Sequence, residues 1–403
     1  MRKSDPSTHE LQRALDASNS HKLTSEAAKA VGLAETTFRR HVLLAKASGL
    51  KPSKKTTISA TETIRRLERD LREAQKESAD AANIKAIIQG LVNKSEDQSI
   101  PTWLQQTKKK HSGPGVPTLF LSDLHWGEKV HPTQIGGVNE YNTQIAHERL
   151  RTCVDRAMHL LHILDNDNRY PGIVVILGGD MVSGDIHEEL AESNEMHTLP
   201  TVLDMEAQIA AAISLLADAY GHVFLPCVTG NHGRNTKKIR AKDRHHTSFD
   251  WLLYKLLEKR FQSDNRITFL IPDGPDAYYK VHNTAYLLTH GDQFRGGDGM
   301  IGALGPIIRG DHKKRSRNGQ IDKDYDVLLC GHWHQYIHLT RLIVNGSLKG
   351  YDEYAYSSNF GFEPPQQALW VTHPKYGITF RMPVYVDSQR AVNKTEWVSV
   401  PRA

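Results

Sequence analysis

The chain has 403 residues, 39% of them hydrophobic, with 51 Lys and Arg against 46 Asp and Glu. That composition supports a large buried core in two or three units and excludes a collagen-like or wholly disordered chain. Cys153, Cys227 and Cys330 are far apart, with no Cys-x-x-Cys spacing, which excludes a disulfide scaffold and a thiolate zinc site. With no charged-then-apolar leader and no apolar run near eighteen residues, a cytoplasmic protein is expected.

Charge is unevenly spread. Residues 1–110 hold 21 Lys and Arg against 13 Asp and Glu, a net +8 on a chain whose total is +5, so the remainder stands at −3. A polyanionic partner such as DNA explains a basic appendage of this kind, and so does solubility alone. Within it the pattern predicts a short helix near residues 10–17, a second over 23–31, a turn at Gly32, and a third from Ala34. This resembles a helix-turn-helix. Ala27, Ala28, Val31, Leu33, Phe38 and Val42 would form its core, and Thr36, Thr37, Arg39, Arg40 and His41 would face outward to meet DNA. Small trihelical units also serve protein contacts, so a recruiting protein partner stays open.

The expected order is a helix-turn-helix domain at 1–55, a helical connector with a basic hinge at 56–115, a catalytic domain at 116–388 and a tail at 389–403. Residues 59–94 are rich in Glu, Arg, Lys, Ala and Gln, with Ile64, Leu67 and Leu71 at heptad-like intervals. They predict a charge-laced helix, and a homodimer through it stays open.

From residue 116 a β/α rhythm begins. Strands are predicted near Thr118, Gly172, Val223 and Ile267, helices near Ala146, Glu206 and Phe249, and hairpins over 277–288 and 367–386 with turns at His282-Asn283 and at 374–377. His159 and His162 fall in an amphipathic helix over 143–164 and read as structural. Thr247-Ser248-Phe249-Asp250 looks like a helix start with a capping box.

Five short islands follow apolar, β-rich runs: Ser122-Asp123-Leu124-His125, Gly178-Gly179-Asp180, Gly230-Asn231-His232, Thr289-His290-Gly291-Asp292 and Gly331-His332-Trp333-His334. Ligand-type side chains therefore sit where strands end, beside small turn residues that let distant strands converge. Their order and spacing resemble the calcineurin-like metallophosphoesterase superfamily over residues 116–386, with its D-x-H, G-D, G-N-H, H and G-H-x-H motifs.

The resemblance implies an α/β class fold, a four-layer αββα sandwich of two sheets flanked by helices, and two divalent metal ions. Manganese is favoured, with iron and zinc also suited to an N/O donor set. It assigns Asp123, His125 and His334 to one ion and Asn231, His290 and His332 to the other, with Asp180 bridging. Paired ions lower the pKa of a bridging water and neutralise charge on a phosphoryl group. His232 would protonate the leaving oxygen or steady the transition state as imidazolium, and would not be a ligand. Relatives usually carry Asp or Glu after that His, where this chain has Gly233 and Arg234. Asp185, Glu188 or Asp292 would replace that acid, or Arg234 would bind the substrate phosphate instead.

Gly184-Asp185-Ile186-His187 repeats the D-x-H spacing but follows no new strand, so it reads as a loop over the site, with His187 available to substrate. Residues 296–317 read as a cationic, Gly-rich loop suited to a nucleic-acid backbone or simply a mobile surface loop. Ser122-Asp123-Leu124-His125-Trp126-Gly127 is similar to the motif of the nuclease branch, which includes nuclease subunits of DNA double-strand-break repair complexes and phage-encoded relatives. That likeness implies a metal-dependent DNA nuclease, exo or endo, acting on single- or double-stranded DNA. Little sequence follows the last hairpin, so the duplex-end specificity of the repair nucleases is not expected to transfer. A small-molecule phosphatase or cyclic-nucleotide phosphodiesterase is the alternative, and a DNA-binding regulator with an inactive phosphoesterase domain is a third.

Overall fold

A computed structural model describes residues 6–21, 23–52, 101–104, 113–186, 188–296 and 302–387. The chain divides into two compact units, Met1–Lys85 and Ala86–Ala403. The expected helical connector at 59–94, the tail at 389–403 and His187 lie outside the described residues.

In the first unit, helices α1 (Thr8–Ser20), α2 (Thr24–Ala30) and α3 (Glu35–Ala47) share one small core. Ser7 opens α1 with a capping box: its hydroxyl accepts from the Glu10 N–H, and the Glu10 carboxylate accepts from the Ser7 N–H at 2.8 Å. Ala27, Ala28, Phe38 and Val42 are buried with Leu11, Ala14, Leu15 and Ala45, while Val31 and Leu33 pack at the margin. Gly32, at φ 74°, turns the chain between α2 and α3 where a side chain would be strained. Thr36, Arg39 and Arg40 are exposed on α3, Thr37 is half-buried, and Arg39 pairs with Glu35 one turn earlier.

The second unit is a mixed α/β fold built on two sheets. The first has the order β11-β10-β1-β2-β3-β4, where β1 is Val116–Leu121, β2 Ile173–Leu177, β3 Val223–Pro226, β4 Ile267–Leu270, β10 Gln366–His373 and β11 Gly377–Tyr385. The second has the order β5-β6-β7-β9-β8, where β5 is Asp276–Val281, β6 Thr284–Thr289, β7 Val327–Cys330, β8 Ile337–Leu339 and β9 Leu342–Val344. Strands β1 to β4 run parallel, as do β6 and β7. The central strands read as unbroken apolar runs because both their faces are covered.

Phe120, Ile176, Phe224 and Trp370 from the first sheet meet Tyr279, Tyr286, Leu288 and Leu329 from the second in one core. Helices α4 (Thr143–Leu164), α5 (Glu188–Ser193), α6 (Thr198–Tyr220) and α7 (Phe249–Arg260) connect the first sheet's strands, and α8 (Leu304–Gly319) packs Ile307 on the second sheet's outer face. Helix α6 is long and apolar enough to cross a membrane by length and composition. In this fold its Val202, Met205, Ile209, Ile213 and Leu216 stripe is buried and contacts α7 and β3.

Two expectations need correction. Residues 101–104 were assigned to the connector, yet Leu104 is fully buried in the sandwich core and its carbonyl accepts from the His282 N–H at 2.9 Å. The Gly-rich stretch 296–317 predicts a loop, but from Leu304 it is helix α8. Its mid-helix Gly310 serves packing rather than mobility, since a Cβ there would lie 2.2 Å from the Phe294 ring.

Candidate metal centre

Each sequence-predicted ligand lies beyond the carboxyl end of a parallel strand: Asp123 and His125 after β1, Asp180 after β2, Asn231 after β3, His290 after β6, His332 and His334 after β7. Pairing of Leu121 with Leu177, Leu177 with Cys227, and Leu288 with Leu329 brings neighbouring strand ends level. Five of the seven adopt left-handed backbone: Asp123 (φ 54°), His125 (48°), Asp180 (48°), His332 (70°) and His334 (53°). Such strain costs about 1–3 kcal/mol per residue and persists only where the surroundings impose it, which is characteristic of functional sites. Glycines let the loops interlock: a Cβ on Gly230 would lie 2.1 Å from Asp180 Oδ1, and one on Gly331 2.2 Å from Asp123 Oδ2.

The donors converge in three overlapping groups, Asp123–His125–His334, His125–Asp180–His232 and Asp180–His290–His332, with the donor atoms of each within 4.8 Å of one another. His125 Nε2 and His334 Nε2 face each other at 3.0 Å, and His334 Nε2 lies 3.4 Å from Asp123 Oδ1. His290 Nδ1 lies 2.9 Å from the Gly178 carbonyl. A carbonyl only accepts, so Nδ1 carries the proton and Nε2, 2.9 Å from Asp180 Oδ2, is left to face the centre.

Electrostatics fit cations. Burial, then the Lys349 charge, keeps the His125 imidazole neutral well below its ordinary pKa, and burial followed by repulsion from His290 lowers His332 to about 4. Burial alone would raise the Asp180 carboxyl, but His290 and His232 hold it well below the usual carboxylate range. Burial opposes the charge on His290, yet Asp180 pushes that imidazole up to about 10. The Asn231 Oδ1 is buried with no hydrogen-bond partner, an arrangement that costs about 1–3 kcal/mol unless a cation takes the lone pair. The donor set therefore fits two divalent ions held by nitrogen and oxygen.

No family model and no curated protein matches this chain. Among solved structures it is similar to vacuolar protein sorting 29 from Cryptosporidium parvum, at 13% identity over 64% of this chain and 84% of that one, with a TM-score of 0.26. It is also similar to a single mutant of Vps29 from Entamoeba histolytica, at 13% identity, 66% and 99% coverage, and a TM-score of 0.26. A conserved uncharacterized protein of Streptococcus pneumoniae, described as a predicted phosphoesterase, matches at 10% identity, 68% and 99% coverage, and a TM-score of 0.26. Likenesses this slight leave the chemistry to rest on the residues themselves.

His232 stands beside the donors. Its N–H donates to Asp180 Oδ1 at 2.7 Å, and its ring lies edge-on to His125 with centroids 4.6 Å apart. The Ser183 carbonyl, 3.1 Å from Nδ1, fixes a proton there, so Nε2 is the titrating nitrogen. Of the three expected acids, the Glu188 side chain lies outside the described residues. Asp185 accepts from the Thr198 hydroxyl at 2.6 Å, and Asp292 grips Arg244. Arg234 is turned partly inward, donating to the carbonyls of Asn231 at 2.6 Å and Thr236 at 3.0 Å.

The expected capping box at Thr247 to Asp250 does not form. Thr247 donates its hydroxyl to the Arg244 carbonyl, and fully buried Asp250 turns to the metal loops. Its carboxylate accepts from the N–H groups of Gly230 at 2.9 Å, Asp180 at 3.1 Å and Met181 at 3.2 Å. Burial and neighbouring Asp180 push this carboxyl up to about 6. Gly233 leaves room for it, since a Cβ there would lie 2.8 Å from Asp250 Oδ1. That contact gives a steric reason for glycine at position 233.

Two further sets escaped the sequence reading. Ser122 donates to Asp123 Oδ2 at 2.5 Å and accepts from buried Asn345 at 2.9 Å, which in turn donates to Gln367. Beneath His125, Glu128 Oε2 lies 3.4 Å from Nδ1 while its Oε1 accepts from Lys349 at 2.8 Å, and Lys349 also pairs with Asp352. Their only signal is spatial: no motif spacing joins residues more than 200 positions apart.

Proposed function

We propose that this chain is a two-metal phosphodiester hydrolase of the calcineurin-like metallophosphoesterase type, acting on DNA as a nuclease. The observation that carries the reading is the convergence of six of the assigned N/O donors, five of them on strained backbone, together with His232 at the strand ends. Asp123, His125 and His334 would hold one divalent ion, Asn231, His290 and His332 the other, and Asp180 would stand between. When bound, such a pair supplies Lewis acidity to a phosphoryl oxygen and to an attacking water. Manganese is the ion we favour.

The protein's own part is positioning and proton transfer. Asp250 and the Ser122–Asn345–Gln367 network fix the two aspartates before substrate arrives, so little reorganisation accompanies reaction. His232, with Nδ1 tied to Ser183, presents Nε2 to donate a proton to the leaving oxygen. DNA as substrate is supported by the cations around Asn231 and by the basic amino-terminal segment. In this reading the three-helix unit is a helix-turn-helix that recruits the enzyme, with Thr36, Thr37, Arg39 and Arg40 facing DNA.

The test is incubation of the full chain with end-labelled single-stranded, linear duplex and circular DNA, in Mn²⁺, in Mg²⁺ and with chelator. Cutting that needs metal, and that falls by at least a thousandfold in Asp180→Asn and at least a hundredfold in His232→Ala, is the expected result. Hydrolysis of a chromogenic phosphodiester with every DNA left intact would move the assignment to a small-molecule phosphodiesterase.

A further inference from the structure

Between the Asn231-His232 pair and helix α7 the chain carries Arg234, Lys237, Lys238, Arg240, Lys242 and Arg244 against a single acid, Asp243. The two outer arginines are anchored. Arg234 is held by carbonyls of its own turn, and Arg244 by both carboxylate oxygens of Asp292 and by the Gly230 carbonyl at 3.1 Å. The four inner cations are exposed, and no ion pair involves them among the described residues. Arg234, Arg240 and Arg244 line one cleft with Asn231, Thr236 and Ser248. Ser248 is only 5% exposed, and its hydroxyl has no hydrogen-bond partner. A buried unpaired donor beside three guanidinium groups is a built site for an anion.

We propose that this cleft is a second anion subsite, which seats the phosphate next to the scissile one in a polynucleotide strand. The cleft shares Asn231 with the metal centre, so an anion in it lies beside the scissile group without displacing it. Arg240 and Ser248 would take the phosphate oxygens, with Arg234 and Arg244 fixing the walls and Lys237 and Lys238 lowering the potential energy of the approaching strand. The consequence is a preference for substrates with at least two phosphates. This assignment rests on the nuclease reading and deepens it.

The test compares tetrathymidylate, with several phosphates, and the dinucleoside monophosphate TpT, with one, as substrates of the full chain in Mn²⁺. In Arg240→Gln, kcat/KM for tetrathymidylate should fall at least tenfold and that for TpT less than threefold. The slope of log kcat/KM against log salt should also flatten by about 0.7 for each lost phosphate contact. Equal losses on both substrates, or none, would overturn the subsite. If the wild-type protein cuts neither but hydrolyses bis(p-nitrophenyl) phosphate, the nuclease reading fails by itself, and inhibition by tetrathymidylate then decides the subsite. Weaker inhibition of Arg240→Gln than of wild type keeps it; equal or absent inhibition removes it.

Discussion

Two basic stretches of this chain lie between ligand-bearing strands: residues 234–244, with six Lys and Arg, and helix α8, with five. Their charges have opposite fates. On the helix, Lys314 is buried against Asp276, Arg317 pairs with the other oxygen of that carboxylate at 2.6 Å, and Arg315 binds Asp311 at 2.8 Å while stacking on Tyr325. Along 234–244 the inner cations meet no carboxylate among the described residues, and Arg240 lines a cleft with Asn231. Cation density in sequence does not measure available charge; the carboxylates that the fold brings alongside do. Asp276 belongs to β5, distant in sequence from α8, so nothing local reveals that Lys314 and Arg317 are already paired.

The largest expected effect tests the neutralised side. Asp276→Ala leaves Lys314 buried without its partner, which should cost about 3–5 kcal/mol of stability in urea unfolding. Hydrolysis per folded molecule should stay within twofold. Burial alone would raise the Asp276 carboxyl, but Lys314 and Arg317 hold it below its ordinary value. Its folded pKa is thus depressed, so its stabilising contribution is full above the unfolded value near 4 and fades as pH falls below it. The gap between wild type and Asp276→Asn should therefore narrow from pH 7 to pH 3. A gap independent of pH would mean that the pair does not stabilise the fold electrostatically.

Next in size is Asp250→Ala, at the far end of the other region. Three buried N–H groups, of Asp180, Met181 and Gly230, would lose their acceptor, and Asp180 would lose its fixed position. A fall in kcat of at least a hundredfold is expected, with Asp250→Asn milder because its carbonyl oxygen still accepts. A change confined to KM would show instead that Asp250 acts on substrate binding and not on the placement of Asp180.

Six of the seven expected ligands come together in the structure, and they stood out in the sequence because metal chemistry restricts residue type and strand ends restrict position. The main strands and both hairpins were legible from apolar runs and turn residues, and β5 and β6 flank His282-Asn283 as expected. What stayed hidden was support. Asp250 follows the sequence rule for a helix cap, yet three nearby backbone N–H groups compete for its carboxylate and win. Asn345, Gln367 and Lys349 belong to no recognisable motif, and only the closed sandwich shows what they hold. The glycines of 296–317 suggested a loop because the close approach of Phe294 to Gly310 is a tertiary fact.

The smallest effect sharpens the contrast most directly. Lys237→Gln combined with Lys242→Gln removes two exposed, unpaired charges, so stability should change by no more than about 0.5 kcal/mol. The same pair of substitutions on the helix, Lys314→Gln with Arg317→Gln, should cost several times that, because each removes a partner of Asp276. Binding should show the reverse. Without chemistry, in the presence of chelator, the loop variant should lose affinity for a single strand and show a shallower salt dependence, since each cation that meets a phosphate releases about one counterion. The helix variant should keep the wild-type slope. If both variants shift the slope alike, the ion pairs on α8 open in the presence of DNA, and the two basic stretches act as one surface.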